Sequence, residues 1–242
     1  MYRLVAVIGY PVAMILLAVA LPVQALFLAV TAPFDRNRAG AGRFLRFVGV
    51  GISLCFPPWR LSVEGRWPAR RPYVVVSNHQ SILDILLLSR LPHEMKWVAK
   101  ASLFAIPWAG WMLRMAGDIP VLRGDPESGG EAMAKARRYL ANGMSVMIFP
   151  EGTRSRTTDL LPFKAGAFRL AVEAGVPVLP VAVSGTGAGM PKGGPWVRPC
   201  RAVARILEPI DTAGKDAAAV RDLARARITG ALGELRPVTT AG

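Results

Sequence analysis

The sequence predicts an α/β fold: a mixed central sheet flanked by helices, with an N-terminal hydrophobic helical membrane anchor. Three observations carry this expectation. Residues 4–33 contain no charged side chain, and about 20 apolar residues are enough to span a bilayer. From Trp59 onward, β-branched runs alternate with helical periodicities, the pattern of a sheet with helices on its faces. The 242 residues suit one domain with a sizeable core plus an appendage. The chain is therefore divided into a membrane-anchoring helical segment, 1–58, and a domain over 59–242.

The apolar stretch is longer than the core of a signal peptide. Arg36, Arg38, Arg43 and Arg46 follow it at once, as at a membrane stop with a cytoplasmic flank. Pro22 can divide the stretch into two shorter helices that enter one leaflet and return, so spanning and dipping are both open. Residues 43–58 form a second apolar stretch ended by Pro57-Pro58, in which Phe44, Phe47, Val48 and Ile52 can line one face. That face belongs to either an interfacial helix or a core helix.

Strands are expected at 60–64, 73–77, 96–99, 119–122, 145–149, 178–183 and 202–207. A helix over 81–91 opens with Ser81 and has Asp84 three residues on, a capping-box spacing. A second, over 128–141, repeats the device with Ser128 and Glu131 and stops at Asn142-Gly143. Further helices are expected over 163–174, ended by Gly175, and over 213–235.

The hydrophobic share is 52%, the mean hydropathy +0.34 and the formal net charge +14. Arginines crowd the region after the apolar stretch, continuing through Arg60, Arg66, Arg70 and Arg71. Such a run favours anionic lipid by about 1 kcal/mol per residue near the surface. It also places the following domain on the cytoplasmic side of the cell membrane. No stacking or helix-turn-helix pattern accompanies the charge, so nucleic acid is not an expected partner. Cys55 and Cys200 are far apart, lack metal spacing and fit a reducing compartment.

Asn78-His79-Gln80-Ser81-Ile82-Leu83-Asp84 follows the run Tyr73–Val76, and His79 is one of two histidines in the chain. A neutral imidazole oriented by a carboxylate can take a proton from a hydroxyl near neutral pH. No serine or cysteine carries a nucleophile signature, so the hydroxyl belongs to the substrate. On a straight helix His79 and Asp84 would lie about 140° apart. Contact therefore requires His79 in the turn before the helix, with Ser81 as cap and Asp84 in the first turn. The alternative is that Asp84 only completes the cap and His79 is an ordinary turn residue. His93 reads as a surface histidine.

A second cluster is Phe149-Pro150-Glu151-Gly152-Thr153-Arg154-Ser155. Gly152 permits an unusual dihedral, Arg154 offers a planar fork for phosphate or carboxylate, and Thr153 and Ser155 add hydroxyls. A strand-to-loop turn with a surface ion pair would look the same. The stretch Gly117–Gly124 places Arg123 at a strand end, and Val176–Val183 reads as a buried strand.

In this order the segments NHQSILD, GDIPVLRG, FPEGTRS and VPVLPVAVSG resemble the motifs of the membrane glycerolipid acyltransferases that include 1-acyl-sn-glycerol-3-phosphate acyltransferase (PlsC-like). The connection KWVAKASLFAIPWAGWMLRMAG is similar too, and the resemblance covers about residues 60 to 210. Pro120-Val121-Leu122 departs from the aromatic or isoleucine-rich second block of many members, although Arg123 is present. The resemblance implies acyl transfer from acyl-CoA or acyl-ACP to the sn-2 hydroxyl of 1-acylglycerol 3-phosphate, giving phosphatidic acid. It implies His79 as general base oriented by Asp84, and Arg123 and Arg154 on the acceptor phosphate. Glu151, Gly152, Thr153 and Ser155 would complete the substrate pocket. No metal and no cofactor beyond the acyl donor are expected; the expected partners are membrane lipid and the donor. Other acceptors (lyso-ornithine lipid, another lysophospholipid, glycerol 3-phosphate) and a non-catalytic lipid-binding role are the alternatives.

Overall fold

The computed structural model describes residues 2–235 except 70–71, 156, 158 and 192–196. Arg70 and Arg71 of the basic run thus lie outside the described residues. The first element, α1 (Tyr2–Thr31), is one helix and runs unbroken through Pro11 and Pro22. The break that Pro22 would permit does not occur. An interior proline forfeits a backbone hydrogen bond and crowds the preceding turn, but here packing against neighbouring helices holds the path. Ala6, Ala13 and Ala20 form a buried small-residue stripe. Further along the helix, the buried Gln24 amide donates to the carbonyls of Ala41 and Met112. The other face bares Val7, Ile8, Val12, Ile15, Val19, Leu26 and Val30.

The chain reverses through Asp35, whose carboxylate accepts from the N–H groups of Ala39 and Gly40 and so caps α2 (Ala39–Leu54). This helix begins earlier than the apolar run suggests. Val48 is buried whereas Phe47 is 74% exposed, so the two do not share a face. Ala6 and Ala13 join the buried cluster that contains Phe56 and Trp59. The boundary at residue 58 therefore follows composition more than packing.

Among the described residues seven strands follow: β1 (Trp59–Glu64), β2 (Val74–Ser77), β3 (Met95–Lys100), β4 (Ile119–Val121), β5 (Ser145–Ile148), β6 (Val178–Ser184) and β7 (Cys200–Ile206). Each lies within two residues of its expected position. They form one sheet of order β1-β7-β6-β2-β5-β3-β4. Neighbours pair in parallel except β6 with β7. The central strands are buried on both faces, as parallel strands under helices must be. Tyr73, Val75, Met147 and Leu179 face one cluster, and Val74, Val76, Val146 and Val178 face the other.

The helices are α3 (Leu83–Leu88), α4 (Ala109–Ala116), α5 (Pro126–Ala141), α6 (Gly166–Glu173), α7 (Thr186–Gly189) and α8 (Ala217–Glu234). Helix α5 starts ahead of Ser128, because Asp125 caps it and Pro126 takes its first position. The Ser128 hydroxyl instead accepts from the Leu122 N–H. Between β3 and α4 a 3₁₀ turn, Ala101–Ala105, leads to Trp108 at φ +63°. Gly110 packs so closely on the Phe104 carbonyl there that a Cβ would clash. The sequence shows only a connection at that place.

Candidate active site

Strands β2, β3, β4 and β5 run parallel, so their carboxyl ends share one edge of the sheet, where ligands bind in open α/β folds. His79 leaves β2 there, Lys100 ends β3, Arg123 follows β4, and Phe149–Ser155 follows β5. His79 sits in the turn before α3, as direct contact requires. Its Nδ1 lies 2.7 Å from Asp84 Oδ2. The same oxygen accepts from the N–H groups of Gln80 and Ser81; the cap position of α3 is Ile82 and not the expected Ser81, whose hydroxyl accepts from the Leu83 N–H. Asp84 is wholly buried and His79 nearly so. With Nδ1 committed to the carboxylate, Nε2 is the nitrogen left to accept a proton. The ring stacks on Phe149, centroids 4.1 Å apart, which fixes its plane. His93 is exposed and lies against Trp67.

The FPEGTRS segment grips His79 by its backbone. Glu151 Oε1 accepts from the His79 N–H at 2.8 Å, and its Oε2 accepts from the Leu161 N–H. The Ser155 N–H donates to the His79 carbonyl at 2.8 Å. Glu151 and Ser155 are both buried, and these bonds make them supports of the histidine. Burial pushes the Glu151 carboxyl up, against the lowering effect of the two N–H donors. Asn78 does similar work: its amide donates to the Val183 carbonyl and accepts from the Val183 N–H, both at 2.8 Å, tying the turn to β6. No feature of the sequence marks that partner, because 105 positions separate the two residues.

Glu151→Gln tests this support. Glutamine has one acceptor oxygen, so one of the two N–H groups would face an NH₂ donor. We expect a loss of about 1–3 kcal/mol, the cost of a buried unmade bond, seen as a lower Tm. Turnover should fall while KM for both substrates stays near wild type. Unchanged Tm and turnover would remove Glu151 from the positioning of His79.

Beside Phe149 lies a cavity of about 230 Å³ whose wall includes Lys100, Arg123, Phe149, Pro150, Gly152 and Lys164. Partial desolvation, and then the Arg154 charge, hold the Arg123 guanidinium below its usual range. Gly152 adopts φ +69°, and a Cβ there would press on Lys164 Cε at 3.0 Å. Thr153 is exposed and Arg154 half-buried, and neither is among the residues of the cavity wall. Lys100 and Lys164 were missed by sequence reasoning, since a lysine at a strand end or in a loop carries no signal of its own. Together the arrangement offers a buried, oriented base beside a cationic cavity. That chemistry suits deprotonating a hydroxyl on a molecule that also carries a phosphate.

The acyltransferase family model matches residues 60–184. A chloroplastic 1-acyl-sn-glycerol-3-phosphate acyltransferase of Brassica napus is 40% identical over 163 residues, covering 66% of this chain and 47% of its own length. The chain spans about half the length of such plant, algal and yeast relatives. A 1-acyl-sn-glycerol-3-phosphate acyltransferase of Haemophilus influenzae is 34% identical over 196 residues, covering 78% of this chain and 79% of that protein. Among solved structures, the 1-acyl-sn-glycerophosphate (LPA) acyltransferase PlsC of Thermotoga maritima superposes with a TM-score of 0.79 at 28% identity. The match covers 100% of this chain and 98% of that one.

Proposed function

The chain belongs to the acyltransferase family, and from that premise we propose that it acylates the sn-2 hydroxyl of 1-acylglycerol 3-phosphate, giving phosphatidic acid. The observation that carries the reading is the His79–Asp84 pair, at 2.7 Å, beside a cavity walled by Lys100, Arg123 and Lys164. His79 Nε2 takes the proton of the acceptor hydroxyl as its oxygen attacks the thioester carbonyl carbon. The tetrahedral intermediate collapses with loss of the thiolate, which recovers the proton from the imidazolium. Asp84 holds the ring and stabilises its charged form. The thioester is already activated, so the reaction calls for no metal.

The donor is an acyl thioester of coenzyme A or acyl carrier protein. The experiment is product identification by mass spectrometry with both donors and a panel of acceptors. Phosphatidic acid as the main product supports the reading. A preference for a lyso-aminolipid would replace it with another acceptor, and absence of thiol release with every pair would point to lipid binding alone.

Arg123 and Arg154 supply a second test. Two guanidinium groups suit a phosphomonoester carrying close to two charges. Arg123→Ala and Arg154→Lys should each raise the KM for lysophosphatidic acid by more than that for the donor, because lysine loses the planar fork. A zwitterionic acceptor should respond less. Equal losses for both acceptors in steady-state kinetics would assign the arginines a structural role.

We further propose that α1 works from one leaflet, with the α/β domain on the cytoplasmic side. The helix Val5–Thr31 is long and apolar enough to cross a membrane. Yet its small-residue stripe packs on the protein over most of its length, while its outer face is apolar. A bilayer against that outer face would cover it without stripping α1 from α2 and α4. Val12→Glu with Val19→Glu, both on the outer face, should release the protein from vesicles in flotation assays while leaving its Tm in detergent near wild type. Unchanged flotation would remove this face from membrane contact.

A further inference from the structure

Across the edge strand β4 from the acceptor cavity lies a second one, of about 390 Å³, lined by Arg38, Phe104, Arg114, Asp118, Pro120 and Lys135 among others. The two share no lining residue. Asp118 is the one acid among the described lining residues. Its carboxylate is spent elsewhere, on Arg46 at 2.6 Å and on the Trp97 N–H at 2.9 Å. Three cations therefore face this space without a matching anion.

Their placement is enforced. Arg38 has a left-handed backbone, φ 51° and ψ 38°, which costs a non-glycine residue about 1–2 kcal/mol. Neighbours hold it there: Lys96 Nζ donates to its carbonyl at 2.9 Å, and Asn37 is anchored to the Asn142 carbonyl. The Arg38 guanidinium reaches the Arg114 carbonyl at the end of α4, and the Arg114 guanidinium turns back to the Phe104 carbonyl. Lys135 enters from α5, where its ammonium lies 3.5 Å from the Asp118 carbonyl. Desolvation and the charges of Arg38 and Arg138 pull that ammonium below the usual lysine range, with Asp118 opposing. Strain and mutual repulsion spent on gathering cations are compensated when an anion binds among them.

We propose that this cavity is a second anion site, which takes a phosphate group. Its position favours a lipid headgroup as the source. Arg38 lies in the turn between the apolar α1 and α2, just past the end of the helix whose outer face a membrane would cover. Basic pockets beside membrane helices hold anionic headgroups in this way. The site would then draw the enzyme to anionic membrane regions independently of acceptor binding, and it does not depend on the acyl-transfer reading.

The test uses the full chain and vesicles of equal parts phosphatidylglycerol and phosphatidylcholine, with pure phosphatidylcholine for comparison. Lys135→Gln should weaken binding to the anionic vesicles about five-fold, the usual effect of one cation near a charged surface. Adding Arg38→Gln should weaken it further. Arg137→Gln, which removes a charge from the outer side of the same helix where Arg137 pairs with Glu173, should change it less than about two-fold. Pure phosphatidylcholine should bind all variants alike. A second arm measures the rise in Tm on adding inorganic phosphate to detergent-solubilised Arg123→Ala protein, with and without Lys135→Gln. A rise lost with Lys135, together with unchanged vesicle binding, keeps the site and makes free phosphate its ligand. The proposal fails if Arg137→Gln weakens vesicle binding as much as Lys135→Gln, which marks diffuse charge. It fails also if Lys135→Gln, with Tm retained, alters neither vesicle binding nor the phosphate response. The single Lys135 variant decides the matter if the double variant does not fold.

Discussion

His79→Ala is expected to lower kcat by about 10²–10⁴-fold, the range for loss of a positioned general base, with the fold intact. His79 makes its backbone bonds to Glu151 and Ser155 through main-chain atoms, so alanine preserves them. What disappears is Nε2, the one ring nitrogen not committed to Asp84. Asp84→Asn should approach the same loss by a different route. The asparagine oxygen can still accept from the Gln80 and Ser81 N–H groups, which now hold Asp84 Oδ2. Nδ1 lies on that same oxygen, so the amide can hold the ring in place while the negative charge beside it is lost. A neutral side chain at a fully buried position thus leaves the imidazolium without a counter-charge. Thiol release in detergent, with circular dichroism as the check on folding, measures both variants. If His79→Ala retains more than about a tenth of wild-type turnover, His79 is not the base.

The contact between His79 and Asp84 was legible because it is local. The strand before it, Ser81 at the start of the helix and a five-residue separation leave few geometries that let the pair meet. The central strands were legible for a related reason: runs such as Tyr73–Ser77 and Val178–Val183 are apolar on both faces, and only a covered sheet accommodates them, whereas β1 and β7 show themselves by alternation. What stayed hidden depends on partners far along the chain. Glu151 reads as a charged loop residue until its carboxylate is seen on the His79 N–H, 72 positions away. Lys100 and Lys164 reach one cavity from separate elements. The start of α5 departs from expectation for a local reason. Asp125-Pro126 is itself a strong start signal, and it takes precedence over the Ser128–Glu131 spacing that resembles one. The path of α1 through Pro22 was hidden because neighbouring helices, not its own propensity, determine it.

Asp118 shows how far a motif residue can be from the chemistry. It lies in the GDIPVLRG block, yet its carboxylate binds Arg46 on α2 and the Trp97 N–H on β3. Arg46 lies over the Trp97 ring at 4.8 Å, with Glu94 3.7 Å from its Nε and Lys96 3.3 Å from Glu94. The four charges balance, all four side chains are nearly or fully buried, and Gly42 leaves room for them, since a Cβ there would strike Glu94 and Lys96. This cluster locks α2, and α1 with it, onto the sheet. Removing one partner leaves a buried charge uncompensated, so Asp118→Ala is expected to cost about 3–5 kcal/mol. For a chain of this size that is a Tm roughly 10 °C lower. Replacing both partners, as in Arg46→Met with Asp118→Leu, should cost less than either single change, because Glu94 and Lys96 can still neutralise each other. Turnover per folded molecule should survive at low temperature, since none of these groups touches His79. Thermal unfolding of the two singles and the double in detergent closes the cycle. Strictly additive losses would mean that the four charges do not act as one unit, and the attachment of the membrane helices would then rest on apolar packing alone.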